Sequence, residues 1–409
     1  MEGRSRADCH VVRRGGTPGP ARRALMPISL YIHIPFCAAR CPYCDFATAP
    51  ARTPLRGRYL ETLAREIALR GAALDHPRVE TVYLGGGTPS LLEPTEIEAL
   101  GVALGGAFEL RPVEVTLEAN PETLEVARLD AFRRSLGLTR VSLGAQSLDP
   151  EGLKALARTH HVEDVVRSVE LVRGAGDLSL NLDLMLGWPG QTREAWRADL
   201  ERAVSLDPDH LSCYPLTLVH EPEPSVVNWP GSGWPSLARW RSRTAAAQPE
   251  DDVVADMYLD AERILARAAF VHYEIANWAR HGSQSRHNLV YWRDGEWLGV
   301  GVGAHSHLGG KRFWNDMRLA TYIQGWSGIV PETEGRPGDA AETAILALRL
   351  REGLRVADLA ARYGTPAAED VRERLRTLAG AGLLRWRGDQ VSLTQRGRLL
   401  ANEVFVRLV

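Results

Sequence analysis

The sequence predicts an α/β protein: a partial, TIM-like (β/α)6 barrel followed by a small α+β domain of winged-helix type. Short β-branched runs alternate with amphipathic helical stretches over residues 28–220, as in parallel sheets built from βαβ units. Each run ends in polar residues or glycine, as expected where ligands bind at the carboxyl ends of barrel strands. A C-terminal series of three helical segments, a hairpin signal and a last helix predicts the second domain.

Length and composition limit the class of protein. The 409 residues and the hydrophobic content of 44% allow a large core and more than one domain. The net charge of −2 gives no global attraction to nucleic acid or acidic lipid. Five cysteines, three of them close together, fit a reducing compartment such as the cytoplasm better than a secreted disulfide framework. No apolar run approaches the length of a membrane span, so any membrane contact is expected to be peripheral.

Residues 1–27 differ from the rest in composition. They are rich in Arg, Gly, Pro and Ala and lack the apolar stretch of a secretory signal. Two interpretations remain: a disordered basic extension, or a start site assigned upstream of the true one at Met26. The composition favours the second.

The most distinctive stretch is SLYIHIPFCAARCPYCDF, residues 29–46, in which an apolar run leads into Cys37, Cys41 and Cys44. Three cysteines cannot pair evenly into disulfides, but they can supply three thiolates to one metal cluster. A [4Fe–4S] cluster normally has four cysteine ligands, so three ligands leave one iron open to a substrate or cofactor. The alternative is a zinc knuckle, which needs four ligands, usually as two pairs, and the two remaining cysteines form no second pair.

The C-x3-C-x2-C spacing resembles the signature of the radical S-adenosylmethionine (radical SAM) family, in which the open iron binds the amino and carboxylate groups of that cofactor. The flanking YIHIPFC and CPYCDF resemble more narrowly the HemW family of haem chaperones and the related oxygen-independent coproporphyrinogen III dehydrogenases. The resemblance implies a barrel of the radical SAM type with a [4Fe–4S] cluster on the three cysteines. It also implies contacts to S-adenosylmethionine from Tyr31, Gly86, Gly87, Thr88, Glu118, Gln146, Arg158 and Asp183. Tyr43 takes the position of an aromatic residue that packs on the adenine.

The residue types at the strand ends suit such contacts. Gly86 and Gly87, before Thr88, allow a ligand to approach the backbone, and free N–H groups there can bond a carboxylate. An ordinary Gly-rich turn is the alternative, which the turn taken alone favours. Glu118 ends the third run and is expected to face the site, where it suits ribose hydroxyls or an amine. Asn120, before a proline, is expected to cap the following helix.

Residues 221–250 break the alternating pattern with dense Pro, Gly and Trp. We interpret them as a surface insertion; a cover for a flat hydrophobic ligand is the less favoured alternative. Residues 251–334 are predicted to complete the barrel and to include a haem-binding region.

The stretch HNLVYW, residues 287–292, resembles the H-N-x-x-Y-W motif of the HemW family, which is associated with haem binding. Neutral imidazole is a suitable ligand for haem iron, so His287 is the candidate axial ligand. A structural histidine is the alternative interpretation. Further candidates are His272, His305 and His307.

Residues 335–409 contain the predicted winged-helix-like domain. Its helical segments are predicted over 340–351, 356–363 and 368–378, with a hairpin at Arg387-Gly388-Asp389 and a last helix over 396–408. Modules of this kind often bind DNA. Here acidic residues are interspersed along the helices, so no nucleic-acid partner is expected.

The resemblance implies a haem chaperone that binds haem, the cluster and S-adenosylmethionine and delivers haem to acceptor haemoproteins. The acceptors could include membrane-bound respiratory enzymes reached by peripheral contact. The alternative is a coproporphyrinogen III dehydrogenase, which makes protoporphyrinogen IX by radical oxidative decarboxylation. The dehydrogenase pattern continues to a fourth cysteine, where this chain has Phe46, and has a longer segment before the cluster. Both departures disfavour that activity, and no residue is assigned a catalytic role.

Overall fold

The structure is a computed structural model of the chain, and it describes residues 27–217, 240, 244–326 and 336–409. Residues 1–26 of the predicted extension lie outside this range, as do Trp229 and Trp234 of the predicted insertion. The interpretations of those residues stay predictions. The described chain forms a large sheet with helices packed against it and a smaller C-terminal unit, each with its own apolar core.

The six predicted strands are present and pair in parallel in the order in which they follow along the chain. They are β1 (Ile28–Ile34), β4 (Arg78–Gly86), β5 (Glu109–Ala119), β6 (Arg140–Gln146), β7 (Ser179–Leu186) and β8 (His210–Pro215). Two short strands, β2 (Phe36–Cys37) and β3 (Ala49–Pro50), pair with each other after β1. The alternation of apolar and helical stretches therefore predicted the main sheet correctly.

Helices connect these strands, as expected for βαβ units. They are α1 (Arg56–Ala73), α2 (Pro94–Ala107), α3 (Val126–Leu136), α4 (Pro150–Ala155), α5 (Val162–Gly174) and α6 (Arg193–Ser205). Their ends follow local sequence. Thr192 caps α6 by accepting a hydrogen bond from the N–H of Ala195 at 3.1 Å, and Gly137, with φ of 67°, ends α3 in the left-handed region.

Side chains alternate along the parallel strands between an apolar and a polar face. In β6, Val141 and Leu143 belong to the apolar core, whereas Arg140 and Ser142 line a cavity on the other face. The same alternation gives β5 and β7 a polar inner face, because successive strand residues point to opposite sides. The interior of this barrel is therefore polar, unlike the packed apolar interior of a closed (β/α)8 barrel.

The sheet extends beyond the six predicted strands. Strand β11 (Trp297–Val300) pairs in parallel with β1. Antiparallel strands follow at both edges: β9 (Val271–Glu274), β10 (Asn277–Ala279), β12 (His305–Leu308), β13 (Lys311–Trp314) and β14 (Arg336–Pro337). In the described chain β14 and β9 are the two edges of this twelve-stranded sheet, so the barrel is open. The predicted partial barrel is confirmed, with one more parallel strand than predicted.

Three further helices belong to this region: α7 (Asp251–Arg267), α8 (Arg286–Trp292) and α9 (Leu319–Gly325). Helix α8 carries the HNLVYW stretch. Ser285 caps it by accepting a hydrogen bond from the N–H of Asn288 at 3.3 Å.

The C-terminal unit has the predicted helices and hairpin. They are α10 (Ala340–Arg349), α11 (Val356–Tyr363), α12 (Thr365–Ala379), β16 (Leu384–Arg387) and β17 (Gln390–Leu393), and β15 (Leu354–Arg355) adds a third strand. The predicted continuous last helix over 396–408 is wrong. It is two short helices, α13 (Gln395–Leu399) and α14 (Ala401–Phe405), because Leu400, with φ of −113° and ψ of 33°, leaves the helical conformation.

A buried acid joins the C-terminal unit to the barrel. Asp294, whose side chain is fully buried, is paired with Arg362 at 2.9 Å and with Arg312. It also accepts a hydrogen bond from Thr343 at 2.5 Å. Thr343 and Arg362 belong to the C-terminal unit and Arg312 to β13, so one carboxylate binds groups from both units.

Candidate functional site

A cavity of about 500 Å³ opens at the carboxyl ends of the parallel strands and continues into the polar interior. Eleven of the residues predicted from the sequence line it: Cys37, Cys41, Tyr43, Cys44, Gly86, Gly87, Thr88, Glu118, Gln146, Arg158 and Asp183. Tyr31 and His287 do not line it, and neither do the further histidine candidates His272, His305 and His307. These eleven residues therefore share one cavity, although they are separated by up to 146 positions in the chain.

The cysteine loop is held at both ends. Cys37 ends β2, which pairs with β3, and the N–H of Cys44 donates to the carbonyl of Cys41 at 3.1 Å. The three thiols are free of disulfides. Two of them receive hydrogen bonds from other elements: Arg158 donates to the Sγ of Cys41 at 2.9 Å, and Thr88 donates to the Sγ of Cys37 at 3.6 Å.

The donor set suits an iron–sulfur cluster better than a single ion. Burial raises the pKa of Cys37 to about 12 and that of Cys44 to about 11, so metal binding has to supply the positive charge that stabilises the thiolates. Among the described residues, no group of three or more His, Cys, Asp or Glu side chains converges on one metal ion. A structural zinc needs four converging ligands. A [4Fe–4S] cluster binds each cysteine to a different iron, so it does not require that convergence.

The glycine turn after β4 brings two backbones close together. Gly86 has a φ of 110°, and a Cβ atom there would lie 2.5 Å from the ring of His33. A Cβ on Gly87 would lie 2.5 Å from the backbone of Pro35. Both positions therefore require glycine, for packing against the start of the cysteine loop.

The N–H groups of this turn are not free, contrary to expectation. Gly86 donates to the carboxylate of Glu118 at 3.1 Å. The N–H groups of Gly87 and Thr88 each donate at 2.8 Å to a carbonyl of the segment that leads into the cysteines. These bonds hold the turn to its neighbouring strands, so the three N–H groups are not available to the carboxylate of a ligand.

Two carboxylates lie inside the cavity. Glu118 accepts a hydrogen bond from the hydroxyl of Tyr83 at 2.8 Å. Burial, and to a lesser extent the charge of Asp183, raises the pKa of Glu118 to about 7. Asp183 accepts hydrogen bonds from Ser142 at 3.0 Å and Asn181 at 2.8 Å, and burial raises its pKa as well. Both are fixed acceptors that suit hydroxyl or ammonium groups of a ligand.

Asn120, expected to cap a helix, lines the cavity instead. It precedes the short 3-10 helix Pro121–Thr123, but its side chain makes no capping bond. Instead it donates to the hydroxyl of Thr88 at 3.0 Å and accepts from Arg158 at 2.7 Å. Its position directly after β5, at the carboxyl end of a parallel strand, could have identified it as a site residue.

Tyr43 and Tyr31 occupy different places. The ring of Tyr43 lines the cavity, with its centroid 6.3 Å from that of Trp240, the described tryptophan of the predicted insertion. Tyr31 bonds through its hydroxyl to Nδ1 of His33 at 2.9 Å, and its ring centroid lies 6.2 Å from that of Tyr83. Tyr31 therefore supports residues that line the cavity.

His287 is fully buried and both of its ring nitrogens have partners. Nδ1 lies 2.7 Å from the hydroxyl of Thr81, and Nε2 lies 2.7 Å from the hydroxyl of Tyr291. Burial lowers its pKa to about 3, so the ring is neutral. In this conformation His287 has no nitrogen free for a metal. Its role as haem ligand stays a prediction that requires one of these bonds to break.

The other candidate histidines differ in exposure. The ring of His272 stacks on that of Trp278, with the two centroids 4.2 Å apart. His307 is buried beside Asp294. His305 is exposed and stacks at 5.5 Å on Trp314, which is 52% exposed. His305 is therefore the most accessible imidazole of the four candidates.

The part of the chain that the structure describes contains no helix that is both long enough and apolar enough to cross a bilayer.

Comparison with protein families matches two regions. Residues 31–203 match the radical SAM superfamily, and residues 339–400 match the HemN C-terminal domain. The first match covers the cysteine loop and most of the parallel strands, and the second covers most of the C-terminal unit.

Curated relatives cover nearly the whole chain. A protein from Mycobacterium tuberculosis named heme chaperone HemW is 40% identical over 398 residues, which are 95% of this chain and 96% of that protein. A protein of the same name from Bacillus subtilis is 32% identical, over 92% of this chain and 98% of its own length. The one from Escherichia coli is 38% identical, over 69% of this chain and 71% of its own length. Among solved structures, coproporphyrinogen III oxidase (HemN) from Escherichia coli has a TM-score of 0.79 at 24% identity over 95% of this chain and 91% of its own. That likeness concerns the fold.

Proposed function

We propose a haem-carrying function, on the premise that this chain belongs to the HemW family within the radical SAM superfamily. In this function the protein binds haem beside a [4Fe–4S] cluster and S-adenosylmethionine and passes the haem to acceptor haemoproteins. The superfamily itself implies the cluster and S-adenosylmethionine. The proposal that the protein binds haem rests on the name of its HemW relatives, heme chaperone.

Cys37, Cys41 and Cys44 are the proposed cluster ligands. The support is that three free thiols line one cavity and that a cluster does not need them to converge on one ion. When bound, the cluster supplies an iron for the amino and carboxylate groups of S-adenosylmethionine. The chain orients the sulfur atoms through Arg158 at Cys41 and Thr88 at Cys37.

The same cavity is the proposed site for S-adenosylmethionine. The proposed contacts that line it are Tyr43, Gly86, Gly87, Thr88, Glu118, Gln146, Arg158 and Asp183. Tyr43 is next to Cys44 and suits the adenine ring, and the buried carboxylates suit ribose hydroxyls and the amino group. Tyr31 acts as a positioning residue, because its ring lies behind Tyr83, which bonds to Glu118.

One observation carries the haem proposal: Phe46 lines the mouth of the cavity and is 65% exposed. Tyr214, 39% exposed, lines the same cavity from the end of β8. Aromatic rings pack on flat macrocycles, so these two side chains suit the face of a porphyrin. An exposed aromatic side chain is otherwise costly to leave in water.

His287 is the proposed axial ligand of the haem iron, on the strength of the HNLVYW stretch alone. To reach the iron, its Nε2 has to leave Tyr291. His305 is the second candidate, because it is exposed beside Trp314.

The alternative function is coproporphyrinogen III dehydrogenase, which the similarity of fold to HemN leaves open. Phe46 disfavours it, because a phenyl ring at the position of the fourth cysteine supplies no sulfur ligand. The haem-carrying proposal therefore includes no decarboxylation step.

The proposed division of the chain has four parts after residues 1–27: a barrel over 28–220, an insertion over 221–250, a barrel-completing and haem-binding region over 251–334, and a C-terminal domain over 335–409.

The proposed acceptors are haemoproteins, including membrane-bound respiratory enzymes reached by peripheral contact. The proposed compartment is the cytoplasm, because the cluster thiols need reducing conditions.

The experiment compares Phe46→Ala with Val113→Ala in anaerobically reconstituted protein. Val113 is 54% exposed and does not line the cavity. Haem titration followed by visible absorbance should show several-fold weaker binding for Phe46→Ala and no change for Val113→Ala. Transfer of the haem to an apo-haemoprotein is then monitored through the absorbance spectrum of the acceptor. Wild-type protein that neither binds nor transfers haem would overturn the proposal.

A further inference from the structure

The buried arginines of the described chain fall into two groups: those that pair with an acidic residue and those that do not. Arg40, Arg70, Arg140 and Arg398 are each at most 9% exposed. Arg70 and Arg398 pair with glutamates at 3.7 and 2.5 Å, and neither lines the cavity. Arg40 and Arg140 line the cavity, and neither takes part in an ion pair within the described residues. The arginines that lack an acidic partner are thus the two that face the cavity.

Arg40 has counter-charges beside it, whereas Arg140 makes no ion pair among the described residues. The charge of Arg140 does act on the carboxylate of Asp183, whose pKa burial raises and Arg140 partly lowers, but that carboxylate is hydrogen-bonded to Ser142 and Asn181. Arg40 lies in the loop between Cys37 and Cys41, so its positive charge is beside the thiolates of the proposed cluster. Arg140 is the first residue of β6, whereas Gln146 ends the same strand at the mouth. Arg140 is therefore at the opposite end of this strand from the mouth, and it lies at the inner end of the cavity.

The hydrogen bonds of Arg140 are incomplete. Its Nη1 donates to the hydroxyl of Ser179 at 3.1 Å and to the carbonyl of Ser283 at 3.0 Å. Its Nη2 is buried and has no partner. Thr116, the register partner of Arg140 on β5, also lines the cavity, and its hydroxyl is buried without a partner. Two register partners on adjacent strands, both lining the cavity, thus each have a buried polar atom without a partner.

The acids around this point are already bonded elsewhere. The carboxylate of Asp183 accepts from Ser142 and Asn181. Glu114, two residues before Thr116 on the same face, accepts from N–H groups at the start of α8. His210, which also lines the cavity, is kept neutral by burial and by the charge of Arg140, both of which lower its pKa. A buried cation without a paired anion is strongly unfavourable, so this end of the cavity suits an anionic group.

We propose that Arg140 and Thr116 form a carboxylate subsite at the inner end of the cavity, and that this subsite receives a propionate of the bound tetrapyrrole. The inference rests on the proposed haem-carrying function and adds the residues that recognise the acidic side arm. A carboxylate accepts hydrogen bonds from a guanidinium and a hydroxyl at once.

The first arm of the test changes the ligand and leaves the protein intact. Reconstituted wild-type protein is titrated with haem and with haem dimethyl ester, whose propionates carry no charge. Loss of a charge-assisted hydrogen bond should weaken binding roughly tenfold, so the ester should bind that much more weakly than haem.

The second arm changes Arg140. Arg140→Gln should weaken haem binding roughly tenfold and should no longer distinguish haem from its ester, whereas Arg140→Lys should retain most of the distinction. Arg70→Gln is the matched control, because Arg70 is equally buried but lies outside the cavity. It should preserve the ratio of haem to ester affinity. If Arg140→Gln does not fold, as judged by circular dichroism, the ligand arm and Arg140→Lys still decide the question.

Each outcome separates the subsite from the function. Equal binding of haem and ester by wild type would overturn the subsite and leave haem carriage standing. A loss of S-adenosylmethionine affinity in Arg140→Gln with haem affinity unchanged would show that Arg140 supports the S-adenosylmethionine site instead, and would also overturn the proposal. Wild type that binds neither haem nor ester would instead overturn the haem-carrying function.

Discussion

Arg158 donates a hydrogen bond from Nη1 to the Sγ of Cys41 at 2.9 Å, although 117 residues separate them in the chain. The same guanidinium donates from Nη2 to Asn120 at 2.7 Å, and Asn120 donates to Thr88. Thr88 in turn donates to the Sγ of Cys37. A chain of hydrogen bonds thus connects two of the three thiols, and the cysteine loop is positioned by residues from the segments that follow β4, β5 and α4.

We expect Cys41→Ala to abolish the broad visible absorbance of the reconstituted protein, because two thiolates do not hold a [4Fe–4S] cluster. Cys213→Ala is the matched control, since Cys213 is fully buried in the apolar core and lies outside the cavity. It should retain the absorbance. Iron and sulfide analysis checks both variants, and full iron and sulfide content in Cys41→Ala would contradict the ligand assignment.

The pH dependence of stability should report Glu118. Burial raises its folded-state pKa to about 7, above the unfolded value of about 4.3. The folded state therefore holds the proton more tightly. The contribution of Glu118 to stability is fully present below the unfolded pKa and is lost as the pH rises through about 7.

Between pH 5 and pH 8, cluster-free wild type should lose roughly 2 kcal/mol of unfolding free energy relative to Glu118→Gln. Urea denaturation at several pH values measures the difference. Glu122 gives a contrast. Burial alone would raise its pKa, but His160 and Arg158 lower it to about 2, so its contribution is lost as the pH falls. If the unfolding free energies of wild type and Glu118→Gln change in parallel with pH, Glu118 does not have a raised pKa in the folded state.

The axial ligand can be tested through the partner of His287. Tyr291 holds Nε2 of His287 at 2.7 Å, so Tyr291→Phe should free the nitrogen and strengthen haem binding by up to about tenfold. His287→Gln should weaken binding and change the haem absorbance spectrum. His305→Ala is the matched comparison. If only His305→Ala changes the spectrum, the axial ligand is His305 and the interpretation of the HNLVYW stretch is wrong.

Asp294 should be important for the stability of the junction between barrel and C-terminal unit. Asp294→Asn removes the buried carboxylate that pairs with Arg312 and Arg362. Arg312 keeps its second partner, Glu342, at 2.8 Å, so the loss of the buried acid should cost about 3 kcal/mol. Glu352→Gln is the control, because its pair with Arg293 is exposed on both sides and should change stability by less than about 1 kcal/mol. Urea denaturation measures both, and equal effects would contradict the structural argument.

The sequence predicted the parts of the fold that depend on local pattern. The six parallel strands followed from β-branched runs, and the cavity followed from polar residues at their ends, because parallel strands bring their carboxyl ends to one edge. Strand β11 was not predicted as part of the parallel sheet. Its partner, β1, lies more than 260 residues earlier in the chain, and glycines after Leu298 gave no strand signal.

The remaining errors concern how backbone and side-chain groups are used. The N–H groups of Gly86 and Gly87 suited a ligand by residue type, yet the structure uses them within the protein. Asn120 suited a cap, yet it bonds across the site. A sequence gives the available donors and acceptors, but long-range packing decides which partners they meet.

The most direct test of haem carriage is an anaerobic assay of the reconstituted protein with S-adenosylmethionine and a reductant, in which coproporphyrinogen III and haem are offered separately. We expect no protoporphyrinogen IX from the first, and stoichiometric haem binding followed by transfer to an apo-haemoprotein from the second. Formation of protoporphyrinogen IX by protein with an intact cluster, without haem transfer, would contradict the proposed function and establish the dehydrogenase activity that Phe46 disfavours.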